Sequence, residues 1–247
     1  MAKYTHLSKA PITEALIDIR IKPRESLTVE KLDVIYKSIS DKYPERRERR
    51  QFAGRIQFAP GASKSEIDKD IAYGYWYVSA DKKQIVQARL DGFTFSRLTP
   101  YETWGNLRDE AQRLWIKYAE ITSPEITRVA LKYINKIEIP NSDAIDFDDY
   151  LTAGPIVPSG LPQGIGSFFT RVVLHEPQID VASIITQAFE QIVDPRFVPI
   201  ILDIDVFKQN PQAFSERDAW ELLEKMRDFK NKIFFESITE KLKELFL

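Results

Sequence analysis

The chain has 247 residues, 43% hydrophobic and 12% aromatic, with 35 basic against 37 acidic side chains and a formal net charge of -2. That length and apolar content supply a self-supporting core for one large domain or two small ones, and they exclude intrinsic disorder. The absence of cysteine excludes disulfide scaffolds, thiol nucleophiles and thiolate metal sites, and the balanced charge lacks the global positive field of a dedicated nucleic-acid binder.

Ala15 to Ile21 alternates, with Ile17, Ile19 and Ile21 on one face and Asp18 and Arg20 on the other, the pattern of a half-buried strand. Thr28 to Ile39 sets Leu32, Ile35 and Ile39 at helical spacing and stops before Pro44. The charged stretch Glu45 to Arg50 reads as a solvated connection. Four strand-like segments follow, Phe52 to Phe58, Ile71 to Ser79, Gln84 to Leu90 and Phe93 to Leu98, with Pro60 to Lys69 as a long loop and Asp91-Gly92 as a hairpin turn. Thr99-Pro100-Tyr101-Glu102 has the spacing of a capping box with proline at the first helical position, which predicts a helix running to Ser123-Pro124. Its stripe of Trp104, Leu107, Ala111, Leu114, Trp115 and Tyr118 is the face that packs on a sheet.

A second pass of similar order comes next. Ile126 to Ile139 alternates as a long strand, Asp146 to Leu151 forms a helical turn, and Gly154 to Gly166 is a Pro/Gly-rich loop. Ser167 to His175, Val181 to Val193 and Val198 to Phe207 read as three strands. A final helix begins at Ser215 and carries Trp220, Leu223, Met226, Phe229, Ile233, Phe234 and Leu242, either as one rod of roughly 45 Å or with a break near Asn231. The predicted fold class is α+β: an antiparallel sheet built from two related helix-plus-meander halves, residues 1–125 and 126–247, sharing one core with the helices on one face. This order is similar to the duplicated topology of TATA-binding-protein-like folds, a likeness that carries no function.

The segments Ala10-Pro11-Ile12-Thr13-Glu14-Ala15, Phe95-Ser96-Arg97-Leu98 to Trp104, Arg128 to Ile137 and Phe234 to Leu242 span nearly the whole chain. On them the chain resembles the "sporadically distributed" family of prokaryotic proteins. That family has no assigned activity, so the resemblance implies scattered occurrence in bacteria or archaea and no reaction.

Candidate functional residues lie on the strand faces opposite the apolar ones. Asp18 and Arg20, Arg55 and Gln57, Gln87 and Arg89, Arg171 and His175, and Asp203 and Asp205 each share a face through their even spacing. If these faces coincide, Arg20, Arg55, Arg89, Arg171, Asp203 and Asp205 form a polar surface for an anionic or polar ligand; otherwise they decorate a wet sheet. Asp203 and Asp205 could also hold a divalent cation, with a third ligand from Glu14, Asp18 or His175, for a metal-assisted hydrolase or nuclease. The cluster Arg46, Arg47, Arg49 and Arg50, with Arg55 beyond, could grip phosphates of a nucleic acid, with Tyr73, Tyr75, Trp76 and Tyr77 available for base stacking, a reading less favoured than a solvated charged connection. His175 reads as a turn histidine and His6 as an unremarkable one.

No phosphate-cradle, nucleophile-elbow or zinc-helix motif is legible, so no catalytic residue and no cofactor is expected. The leading expectation is a non-enzymatic binding or interaction module. Four tryptophans and an amphipathic terminal helix are compatible with a homodimer. No apolar run reaches the ~20 residues of a membrane span, and the first residues lack a signal-peptide core, so a soluble cytoplasmic protein without a membrane partner is expected.

Overall fold

The computed structural model describes Tyr4 and residues 7–59, 62–141, 145–189 and 192–247, with the backbone alone for 51–71. His6 therefore lies outside the described residues, and so does the side chain of Arg55.

The elements are β1 (Ile12–Ile21), α1 (Val29–Ile39), β2 (Glu45–Ala59), β3 (Ala62–Val78), β4 (Gln84–Arg89), β5 (Gly92–Leu98) and α2 (Trp104–Thr122). They continue with β6 (Ile126–Pro140), a 3-10 turn at Phe147–Asp149, β7 (Phe169–Glu176), β8 (Val181–Phe189), β9 (Phe197–Phe214), α3 (Glu216–Ser237) and α4 (Glu240–Glu244). The fold is α+β, with the nine strands in one open antiparallel sheet of order β2-β3-β4-β5-β1-β6-β9-β8-β7.

Strand alternation sorts the two faces. Ile17 and Ile19 of β1 pair with Phe95 and Phe93 of β5 and with Leu131 and Val129 of β6, and all six are buried in one core. The helices cover this face, α1 on β3 and β4, α2 on β5 and β1, and α3 on β6 and β9. The stripe expected on α2 is buried throughout, and Phe93 meets the rings of Trp115 and Tyr118 at 5.8 Å. Each fully buried side chain of this size contributes roughly 1.5–3 kcal/mol, and the indole tips still find partners: Trp115 Nε1 donates to Glu216 and Trp104 Nε1 to Glu224, each at 2.9 Å. These two bonds tie α2 to α3.

Four details depart from the sequence expectations. The charged stretch 45–50 and the expected loop 60–69 belong largely to β2 and β3, which pair from Glu45–Val78 out to Ala59–Ala62. Charged and polar residues dominate both stretches, so hydrophobic period gives no sign of a strand there. The α2 N-cap is Thr103, not Thr99: its hydroxyl accepts from the Asn106 backbone at 3.1 Å, while Glu102 is drawn away by Arg97 at 2.9 Å and by the Asn106 side chain at 2.6 Å. The terminal helix, capped by Ser215 as expected, breaks at Ile238 and not near Asn231. Ile238 turns extended to bridge Leu151, and Thr239 caps α4. Among the described residues no helix is long and apolar enough to cross a membrane.

Candidate functional site

The sheet face opposite the helices carries one continuous cross-strand row. In register it reads Arg49 on β2, Gly74 on β3, Arg89 on β4, Gly92 on β5, Arg20 on β1, Arg128 on β6 and Gln209 on β9. Neighbouring strands lie about 4.8 Å apart, so four guanidinium-bearing residues are strung across six strands. The glycines make room for them. A Cβ at Gly92 would come within 2.5 Å of the Ile19 carbonyl oxygen and 3.1 Å of Arg20 Cδ, and one at Gly74 within 2.2 Å of the Ala88 carbonyl oxygen. Gly74→Ala is therefore expected to cost about 1–3 kcal/mol and to lower the melting temperature, as thermal denaturation followed by circular dichroism would show.

Asp18 holds the row together from the next register position, opposite Thr94 and Ala130. Its carboxylate accepts from Arg89 at 2.8 Å, Thr94 at 2.6 Å, Arg20 at 3.0 Å and Arg128 at 3.1 Å. Burial by itself would raise the Asp18 pKa, but the charges of Arg89 and Arg20 and the hydrogen bonds from Thr94 and Arg89 outweigh it and hold the carboxyl below its ordinary value. Arg89 is only 1% exposed and also reaches Asp91 at 3.2 Å and Thr94 at 2.5 Å. Arg20 closes the ring on Asp91. Arg49 is different: its guanidinium donates to Gln87, stands 6.0 Å from the Tyr73 ring and makes no ion pair among the described residues. Burial, with the charges of Arg89 and Arg20, lowers its pKa.

These groups line a shallow cleft of about 670 Å³. Its charged lining is Arg20, Arg49, Arg89, Arg128 and Lys132 against Asp18, Asp91 and Asp205, an excess of two positive charges. A site with fixed guanidinium forks, partly desolvated and carrying surplus positive charge, is suited to an anion.

Three of the six residues singled out from sequence thus meet in one cleft: Arg20, Arg89 and Asp205. Asp203 shares the face two residues further along β9, where Lys132 contacts it at 2.8 Å. Arg171 lies on edge strand β7, in register with Thr186 and through it with Asp203, so it shares the face but not the cleft. The backbone of Arg55 lies far out on β2, opposite Glu66.

The basic cluster divides by strand alternation. Arg46 turns to the helix side, where it pairs with Asp33 and stands over Tyr36 and Tyr75; Arg47 is held by Glu45 and Arg50 by Glu48. Tyr77 is buried under α1, whereas Trp76, 38% exposed, faces the open side opposite Arg47 and Gln87. His175 contacts Asp180 at 3.2 Å on an exposed edge.

Asp203 and Asp205 each keep one buried oxygen with no hydrogen-bond partner among the described residues. Arg128 stands 3.6 Å from Asp205, yet burial dominates and raises the Asp205 pKa. Among the described residues no group of three or more His, Asp or Glu side chains is arranged to hold a metal ion.

Sequence reasoning passed over Arg128 and Lys132 as site members, although the alternation of β6 places them on the polar face. Thr94 carries no sequence signal, because its role arises from register alone. No protein-family model matches the chain, and no curated protein matches it.

Proposed function

We propose that the protein is a non-enzymatic binding module whose open sheet face grips a polyanionic ligand. The observation that carries this reading is the row Arg49, Arg89, Arg20 and Arg128, spaced by Gly74 and Gly92 and held rigid by Asp18. Such a surface is preorganised, since Arg89, Arg20 and Arg128 are oriented by a shared carboxylate before any ligand arrives. Arg49 and the rim of the cleft supply uncommitted positive charge.

Nucleic acid is the polyanion that one further observation favours. Trp76 presents an exposed indole on the same face, directly opposite Arg47 and two residues from Gly74 in the arginine row. An aromatic platform beside guanidinium groups is the combination that binds single strands without sequence preference. A hydrolytic reading through Asp203 and Asp205 has weaker support, because Lys132 and Arg128 oppose those carboxylates.

Fluorescence anisotropy with a labelled oligothymidylate at about 50 and about 200 mM salt tests the reading. Binding is expected to weaken with salt, and Arg49→Gln is expected to reduce affinity several-fold and the salt slope by about one unit. Trp76→Ala is expected to remove about 1–3 kcal/mol of stacking. Affinity indifferent to both substitutions, or no binding of the oligonucleotide or of inorganic polyphosphate, would defeat it.

We also infer that the halves 1–125 and 126–247 descend from one duplicated unit in a soluble prokaryotic protein of the sporadically distributed type. Read outward from the centre, the sheet runs β1-β5-β4-β3-β2 on one side and β6-β9-β8-β7 on the other, which supports a TATA-binding-protein-like plan used twice.

A further inference from the structure

On the helix-covered side a second cavity, of about 660 Å³, opens between α3, the start of β1, the middle of β6 and the segment leading into α2. Its walls combine apolar and aromatic side chains, Leu7, Ile12, Trp104 and Phe234 among them, with polar ones that include Lys9 and Asn231. Into this lining α3 places Lys230, which is only 8% exposed. The Lys230 ammonium stands 3.8 Å from the centroid of the Tyr133 ring, and among the described residues it has neither a hydrogen-bond acceptor nor a carboxylate partner. The Tyr133 hydroxyl is already paired with that of Tyr101 at 2.9 Å. The carboxylate in the lining, Glu102, is held by Arg97 and Asn106. Arg227, one helical turn before Lys230, lines the same cavity, and its ion pair is a long 3.5 Å contact with the adjacent Asp228.

A buried ammonium with unsatisfied donors is costly unless an anion meets it, and Tyr133 supplies only the cation–π part of that compensation. From this geometry we propose that the cavity binds an organic monocarboxylate with an apolar body, its carboxylate on Lys230 and Arg227 and its body against Trp104, Leu7 and Phe234. The size matches small-molecule sites, in which apolar walls surround a few convergent polar groups. The apolar and aromatic part of the lining suits a ligand with an organic body behind its carboxylate, which inorganic phosphate lacks. This site is separate from the arginine row on the other face of the sheet and does not depend on it.

Isothermal titration of the full chain with 4-phenylbutyrate and with its neutral amide tests the proposal. The carboxylate is expected to bind about tenfold or more tightly than the amide, and Lys230→Met is expected to abolish that preference. Arg227→Gln, at the half-exposed rim, serves as a second variant independent of the buried position and is expected to weaken phenylbutyrate binding several-fold. Failure of phenylbutyrate to bind the wild type, equal binding of acid and amide, or a preference unchanged in both variants would overturn it. Oligonucleotide binding in Lys230→Met is expected to match the wild type, which separates this site from the sheet face.

Discussion

Replacing Lys230 with Met is expected to stabilise the protein at pH 6–7 by about 4 kcal/mol, a larger gain than a surface change can give. Burial, with the nearby charge of Arg227, pulls the Lys230 pKa from 10.5 down to about 7. An unfolded chain therefore binds a proton at this position that the folded chain gives up between about pH 7 and 10.5. By linkage the wild type gains stability as pH rises through that window, and below it the folded state carries the full cost of an ammonium in an apolar wall. Lys230→Met removes the cost, so the difference between variant and wild type is largest at pH 6–7 and closes by about pH 10.5. Urea denaturation of both proteins across this range checks it, because tyrosine ionisation affects both and cancels in the difference. A gain that stayed constant with pH, or a loss, would show that Lys230 is not a desolvated base.

Asp18→Asn is expected to cost about 3–5 kcal/mol, the penalty typical of leaving buried charge without its partner. The substitution preserves shape and removes the charge that Arg89, Arg20 and Arg128 share. Arg89 then keeps only Asp91, at 3.2 Å, as an anionic partner in a site where its side chain is 2% exposed. Adding Arg89→Met to Asp18→Asn is expected to recover much of the loss, since the pair is then removed together. Because the Asp18 pKa is lowered by folding, its contribution is complete above the ordinary value of 3.8 and disappears as pH falls through the lower folded value. Chemical denaturation at neutral pH reads the main effect; a change below about 1 kcal/mol would mean that the network is not what holds the arginine row.

The elements that pack against something were legible in the sequence. Ile17, Ile19 and Ile21 alternate because one side of β1 is covered, and the Trp104 to Tyr118 stripe repeats at three and four because α2 lies on β1 and β5. Where charged and polar residues dominate, as at 45–50 and 60–69, period disappears, which is why those parts of the β2–β3 hairpin looked like a connection and a loop. The site was half visible for a related reason. Alternation within a strand says which residues share a face, so Asp18 with Arg20 and Gln87 with Arg89 could be grouped. It says nothing of which strands become neighbours. Strand order brings Arg89 to Asp18 across β5 and leaves Arg171 at the far edge, and that order is settled by packing between distant segments. Lys230 left a trace that reasoning overlooked: it falls between Met226 and Ile233 on the buried stripe of α3, where a lysine is out of place.

The central position of β1 has a kinetic consequence. Asp18 pairs with Thr94 on one side and Ala130 on the other, so the strand completed earliest finds its neighbours only after about 75 and 110 further residues. Ordering loops of that size precedes most of the reward, and sheets dominated by such distant pairings fold slowly. During synthesis the isoleucines of β1 must stay soluble until β5 and then β6 arrive. Assembly of this protein is thus expected to proceed from the middle of the sheet outward, with β7 and β8 joining after β9 has docked beside β6.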